Sequence, residues 1–441
     1  MWKPNKINGF IYETNRGGEK LIRLLIIADD LTGALDTGVQ FAASGAATRV
    51  ITNINYDYSE AEEVKVLVMD AETRHLDSRE AYQVVYNITK KAIQYGIPFI
   101  YKKTDSALRG NIGSELTAVL HAAEGESLSF FPAFPKMKRT TIDGIHYIDG
   151  VPVEESVFGK DPYEPVTCSY IPDLIKEQSM VKVTLAEEVE SPVKREDVPE
   201  IIVWNAQTDD QLEKLGQRLY KENKLHVMAG CAGFAAVLPK LLGLEARPPE
   251  IPNFTQRFLV ICGSVNPITL SQLEFAEANG FFRINLSAEE KLGEEYWKCE
   301  EGLKRLDSLR ELIEAKSCSI LDSNDLPGTS LTKEYADKYN ISTEEVRVSI
   351  AKNLGYILKE LLSRGLKGTM MITGGDTLIG CMEQMGVYEM EPICELTPGI
   401  VLSRFNIRNT ECLVLSKSGG FGDEQLLTNL AKQIFKEDIE K

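Results

Sequence analysis

Histidine is scarce, with four in 441 residues, and none of the eight cysteines falls in a CxxC pair. That argues against a zinc centre and against a disulfide scaffold. It leaves buried thiols in a reducing, cytoplasmic setting as the expectation. No apolar run approaches the roughly 18 residues of a membrane span. Residues 1–20 lack the apolar core of a secretion signal and read as an extension before the first strand. Positive charge is also in short supply, since 49 Lys and Arg face 66 Asp and Glu for a net charge of −17. Long-range attraction to nucleic acid or an anionic membrane is thereby excluded, and neither is expected as a partner. Any anionic ligand must be held by a local basic cluster working against the field of the whole chain. The Walker sequence GxxxxGK[ST], a GxGxxG in a Rossmann position, the protein-kinase HRD and DFG motifs and the GxSxG elbow are all missing.

What is present is a repeated strand–loop–helix plan. LIRLLII (21–27), VKVLVM (64–69), IPFIY (97–101), IIVWN (201–205) and LHVMA (225–229) are short apolar runs, each leading into helical periodicity. Such alternation predicts a parallel sheet covered on both faces. One segment breaks the rhythm. In GIHYIDGVPVEES the pair Asp149-Gly150 lies between alternating apolar and polar residues, the signature of a two-residue hairpin. It predicts an antiparallel flap on the first sheet. The Pro-rich GLEARPPEIPN (243–253) reads as a linker, after which FLVICGSVNP, TMMIT and LVLSK repeat the plan. Residues 287–316 and 343–364 read as long helical stretches. The expected class is α/β with two domains, 21–245 and 254–441, each on a mainly parallel sheet flanked by helices.

In open parallel sheets, ligands lie beyond the carboxyl ends of the strands. In the first domain those ends carry charge: Asp29, Asp30, Asp70, Glu72, Arg74, Lys102, Lys103, Asp105 and Arg109. Arginine can grip a carboxylate with two hydrogen bonds and lysine supplies a point charge. Aspartates can order hydroxyls and take a proton. Blander readings compete at each position. Arg74 can pair with Glu72 or Asp77 on the surface, and Arg109 with Glu115. Lys102 and Lys103, adjacent on a strand, point to opposite faces, so one pocket admits one of them. Lys136, Lys138 and Arg139 read best as an ordinary basic loop, and the histidines as structural. In the second domain the strand ends are rich in glycine and hydroxyl: Gly263-Ser264, Gly374-Gly375-Asp376-Thr377, and Ser418-Gly419-Gly420. Glycine loops that open a helix present backbone N–H groups to phosphate. The competing reading is that they only permit tight turns.

Eight motifs in order match a known family. ADDLTGALDTG (28–38), DAETR (70–74), KKTDSALRGNIGSE (102–115), PAFPKMKRTTIDGIHYIDGVPV (132–153), DPYEPV (161–166), CGSVNPITLSQ (262–272), TGGDTLIG (373–380) and KSGGFG (417–422) resemble the four-carbon acid sugar kinases. These phosphorylate threonate, erythronate or 3-oxo-tetronate with ATP. The resemblance implies an N-terminal acid-sugar domain and a C-terminal nucleotide domain. It implies Asp30, Arg74, Lys102, Lys103, Thr104 and Asp105 on the sugar acid, and Ser264, Gly374, Gly375, Asp376, Thr377, Gly419 and Gly420 on ATP. The strand-end reading adds Asp29 and Arg109 to the sugar-acid site, Asp30 or Asp105 as base, and Asp376 as a contact to Mg²⁺ or, equally, a helix cap. The two sites would then meet as the domains close, and a homo-oligomer is left open. Leu35 and Ala107 stand where the family carries polar residues, which points to a change in how hydroxyls are read. A sugar-acid sensor without catalysis and a dinucleotide-dependent oxidoreductase are the rival classes.

Overall fold

Where five consecutive residues are apolar, the chain forms strands buried on both faces, as in Leu24–Ala28 and Phe258–Cys262. The computed structural model describes residues 22–436 apart from 62, 162–164, 187–197, 256, 294, 408–409 and 418–419. It also describes the short antiparallel strands Lys6–Ile7 and Phe10–Ile11. The rest of the N-terminal extension, Ser418, Gly419 and residues 162–164 of DPYEPV lie outside the described residues. The chain divides into two compact units, Met1–Pro249 and Glu250–Lys441.

The first unit is built on eight parallel strands. From edge to edge they run Lys182–Ala186, Glu200–Trp204, Ser127–Phe131, Val227–Gly230, Phe99–Lys103, Leu24–Ala28, Val66–Asp70 and Thr48–Ile51. Helices Leu31–Ala43, Ser78–Tyr95, Ile112–Ala122 and Asp209–Lys221 are among the connections. After Leu24–Ala28 the chain builds outward to Thr48–Ile51 and Val66–Asp70. It then crosses back and adds Phe99–Lys103 on the other side of Leu24–Ala28. That reversal opens a crevice at the carboxyl ends of these two strands, between Asp29-Asp30 and Lys103-Thr104.

The expected flap is present and larger than the sequence suggested. It has three antiparallel strands, Arg139–Ile142, Ile145–Ile148 and Val151–Pro152. Their two turns are Asp143-Gly144 and Asp149-Gly150, all four residues with positive φ. Asp-Gly supplies that conformation at low cost, and its twist suits a tight hairpin.

The second unit has a parallel core in the order Thr410–Lys417, Thr369–Thr373, Phe258–Cys262, Cys318–Asp322, Phe282–Asn285. Beside it runs an antiparallel meander, Glu389–Thr397, Ile400–Ile407 and Thr410–Lys417, that the strand–helix reading did not anticipate. The stretch 287–316 is broken into Ala288–Leu292, a single turn at Tyr296–Lys298 and Glu300–Glu314. Thr343–Ser363 is one helix, opened by a Ser342/Glu345 capping box. It crosses the helix Gly375–Met385 closely. A Cβ on Gly355 would lie 2.3 Å from the carbonyl oxygen of Gly380. Among the described residues no helix is long and apolar enough to cross a membrane.

Candidate functional site

The helix Leu31–Ala43 starts directly beyond its strand, and Asp30 caps it by accepting from the Gly33 N–H at 3.0 Å and from the Thr32 hydroxyl. Arg74 comes in from the neighbouring strand end. Its Nε donates to Asp29 at 2.8 Å, and its two terminal nitrogens grip Asp30 at 2.9 and 2.7 Å. A longer contact reaches Asp105 at 3.8 Å. Arg74 therefore pairs with none of the surface acids named as alternatives. Its fork is occupied by the aspartates of the first motif, and its guanidinium is nearly buried.

The structure separates the two lysines. Lys102 is wholly buried and pairs with Glu115 at 3.0 Å, also donating to the carbonyls of Ile27 and Lys103. Lys103 points to the opposite face, as strand alternation requires. It is 4 % exposed, and its charge acts on the neighbouring Asp30 carboxylate. It lies against the first turn of the capped helix, where a Cβ on Gly33 would come within 2.7 Å of Nζ and 2.5 Å of the Asp30 carboxylate. Glycine at position 33 is what permits this approach. Thr104 is also buried, and its hydroxyl has no partner among the described residues.

Asp105 turns the chain by accepting from the backbone N–H groups of Ala107 and Arg109, and it holds the Arg109 side chain at 2.9 and 3.1 Å. Arg109 thus pairs with Asp105, and at 3.7 Å with Asp161, rather than with Glu115. Leu35 and Ala107 are both fully buried.

Burial alone would raise every carboxyl here, and the arginines decide which ones it raises. At Asp105, Arg109 and Arg74 outweigh burial and hold the acid well below the usual range. At Asp30, Arg74, Lys103 and the Thr32 bond do the same more mildly. Asp70 has no such cation, so burial, Glu72 and Asp30 push it well up. The Glu72 residue is exposed, yet its carboxyl turns inward to accept from the Leu31 N–H at 3.3 Å. Desolvation and the Asp30 charge raise it to about 7. Asp70 and Glu72 were seen at a strand end in the sequence, but nothing local distinguished them from surface acids.

The flap is tied to this loop. Arg139 donates to the Ser106 hydroxyl, and His146 Nε2 donates to the Ser106 carbonyl at 2.9 Å. His146 Nδ1 takes the Thr141 hydroxyl at 3.1 Å. The ring is fully buried, and burial lowers its pKa from 6.5 to about 4. A lowered histidine contributes stability that is present above 6.5 and is lost as pH falls toward 4. The full shift corresponds to about 3 kcal/mol. His146→Gln is expected to reduce the acid-side slope of stability between pH 6.5 and 4, measured by urea denaturation. An unchanged slope would show that His146 is not the group responsible.

In the second unit the three expected loops lie at neighbouring strand ends. Gly374 has φ +102°, and its N–H donates to the Lys417 carbonyl at 3.2 Å. A Cβ on Gly374 would lie 3.5 Å from the Ser264 nitrogen, and one on Gly263 would strike the Thr377 hydroxyl at 2.0 Å. Gly375 opens the helix Gly375–Met385. Gly420 has nothing near its Cβ position, and Gly419 is not described. Asp376 does not cap that helix; its carboxylate pairs with Arg347 at 2.6 Å and remains partly exposed. The sequence reading named KSGGFG for its glycines and passed over its lysine. Lys417 is buried, donates to Thr269 at 3.1 Å, and is lowered by burial to about 8.

Two family models match the chain, one after the other. Residues 24–238 match a family model described as "Sugar-binding N-terminal domain", and 259–427 match "Nucleotide-binding C-terminal domain". A D-threonate kinase of Salmonella typhimurium is 27% identical over 428 residues, 92% of this chain and 97% of that one. A D-erythronate kinase of Heliobacterium modesticaldum is 26% identical, over 85% of this chain and 88% of that one. A 3-oxo-tetronate kinase of Escherichia coli is 28% identical over 57% of this chain and 69% of that one. A solved Salmonella typhimurium LT2 structure superposes with TM-score 0.75 at 20% identity, covering 93% of this chain and 99% of the other. A Haemophilus influenzae structure does so with TM-score 0.67 at 20% identity, over 93% and 100%. These two share the fold. The chain belongs to the four-carbon acid sugar kinase family.

Proposed function

We propose that the protein is a kinase that transfers the γ-phosphoryl group of ATP to a hydroxyl, the terminal one, of a four-carbon sugar acid. The relatives' names support the kinase class and the substrate class. The observation that carries the reading for this chain is Lys103. A lysine only 4 % exposed, whose charge acts on the Asp30 carboxylate at a topological switch point, gives an anionic substrate a local cation in an acidic chain.

Phosphoryl transfer asks mainly for placement and charge neutralisation. Lys103 would attract the substrate carboxylate, and Asp30 would accept a hydrogen bond from the attacking hydroxyl. Asp30 is better suited to that than Asp105, whose carboxyl Arg109 and Arg74 hold further below the usual range and so make the weaker base. The N–H groups at Ser264 and at Gly375 to Thr377, with Gly374 shaping the turn and Gly419 and Gly420 beside it, would hold the triphosphate. Among the described residues no cluster of three or more acids, histidines or cysteines could hold a metal alone. That fits Mg²⁺, which binds through one or two carboxylates and the nucleotide's own phosphates, with Asp376 available once released from Arg347. Magnesium would neutralise charge on the transferred group.

The test is ADP release with Mg²⁺ over D-threonate, D-erythronate and 3-oxo-tetronates. At least one acid is expected to raise ADP release well above the ATPase background, and a flat panel would sink the reading. Because Arg74 is occupied by Asp29 and Asp30, Arg74→Ala is expected to lower kcat more than it raises the sugar KM, by roughly 100-fold for loss of a buried bidentate pair. A pure KM effect would place Arg74 directly on the substrate.

A further inference from the structure

Arg74, Arg109, Lys103 and Arg139 lie near the crevice, and they are not equivalent. Arg74 is occupied by Asp29 and Asp30, and Arg109 by Asp105. Two remain incompletely matched. One is Lys103. The other is Arg139, the first residue of the flap, which the sequence placed in an ordinary basic loop. Among the described residues the Arg139 side chain donates one hydrogen bond, to Ser106, leaving most of its fork open. It is not an exposed arginine sampling solvent. Its guanidinium lies 5.2 Å from the Phe158 ring centre, and Arg109 lies against the same ring at 5.3 Å. Its backbone is fixed by the exchange of hydrogen bonds between Phe134 and Arg139 at 2.7 and 3.1 Å. Its neighbours are those of the crevice: the charge of Asp105 acts on it, and it acts together with Lys103 on Cys231, beyond the strand Val227–Gly230. His146 locks the same flap to the Ser106 carbonyl.

We infer that Arg139 is a substrate-anchoring residue that binds the carboxylate of the sugar acid together with Lys103, and that the flap exists in part to deliver it. The inference rests on the proposed kinase reading. An open guanidinium fork matches a carboxylate in two hydrogen bonds, and an ammonium adds a point charge. The division of labour follows. Lys103 and Arg139 take the acid end of the substrate, while Arg74 keeps Asp30 aimed at the hydroxyl. Selectivity for acids over neutral polyols then originates in Lys103 and Arg139. Stacking on Phe158 limits the rotamer entropy lost when the substrate arrives.

The experiment uses the full chain with ATP and Mg²⁺, comparing the best sugar acid of the panel with its neutral tetritol, threitol or erythritol. Wild-type protein is expected to favour the acid strongly in kcat/KM. Arg139→Gln should raise the acid KM by about 10- to 100-fold. It should leave the ATP KM within about twofold and collapse the preference for acid over tetritol. Arg139→Lys, which keeps the charge and the stem, should recover part of that preference. A variant that loses acid and tetritol turnover in equal proportion would show that Arg139 only holds the flap in place, and would overturn the inference. So would an unchanged acid KM. If Arg139→Gln fails to fold, the Arg139→Lys ratio decides alone. A ratio equal to wild type counts against the need for a bidentate fork, and a reduced ratio supports it. Wild-type silence on every acid would overturn the kinase reading, and this inference with it.

Discussion

Lys103→Met is expected to reduce kcat/KM for the sugar acid by about 100- to 1,000-fold, the range found when one member of a buried charge pair is removed. Folding stability should change far less than for the neighbouring lysine. The carboxylate beside Lys103, Asp30, keeps its pair with Arg74 when the ammonium is removed. Methionine has nearly the same length and keeps the apolar contacts of the stem. The neighbouring substitution should behave in the opposite way. Lys102→Met leaves Glu115 buried without its cation, together with the carbonyls of Ile27 and Lys103 that Nζ now satisfies. A loss of about 3–5 kcal/mol is expected. Urea denaturation and sugar kinetics on the two variants check this together. If Lys103→Met destabilised as strongly as Lys102→Met while keeping its kinetics, the assignment of the two lysines would be reversed.

The second large effect belongs to the other unit. Gly263→Ala would place a methyl 2.0 Å from the Thr377 hydroxyl and 3.2 Å from the Leu354 side chain. The loop before the helix Pro267–Ala278 must then shift, or Thr377 must turn away. Either movement separates the Ser264 and Gly374 loops, which now lie close together. The expected outcome is a rise in the ATP KM of roughly 10- to 100-fold, from 1–3 kcal/mol of strain. The sugar KM should stay within about twofold, since Gly263 belongs to the second unit. ATP binding by calorimetry reads this directly. Normal ATP affinity would remove these loops from the nucleotide site.

Much of this was present in the local sequence. Apolar runs of five residues and the helical periodicity after them set the strand–helix units, because both depend on neighbours within a turn or two. The charges of ADD, DAETR and KKTD had to lie at strand ends for the same reason. Asp-Gly fixed a hairpin turn, since few residues adopt positive φ at low cost. The antiparallel meander Glu389–Lys417 was harder to see. Its Pro392 and two irregular pairings blur the alternation that marks a half-buried strand.

Strand order and facing were decided only by the tertiary structure. Alternation told that Lys102 and Lys103 diverge, but not which of them meets Glu115 from the helix Ile112–Ala122. Arg74 had nearby acids at positions 72 and 77, yet it pairs with Asp29 and Asp30, more than forty residues away in sequence. Those residues meet because Val66–Asp70 lies beside Leu24–Ala28 in the sheet. Arg139 looked like a surface charge until the flap placed it on Phe158 and Ser106. Electrostatics follows distance in space, not along the chain. The sequence could therefore name the groups of the site, while the order of strands determined which of them cancel one another and which remain open to a substrate.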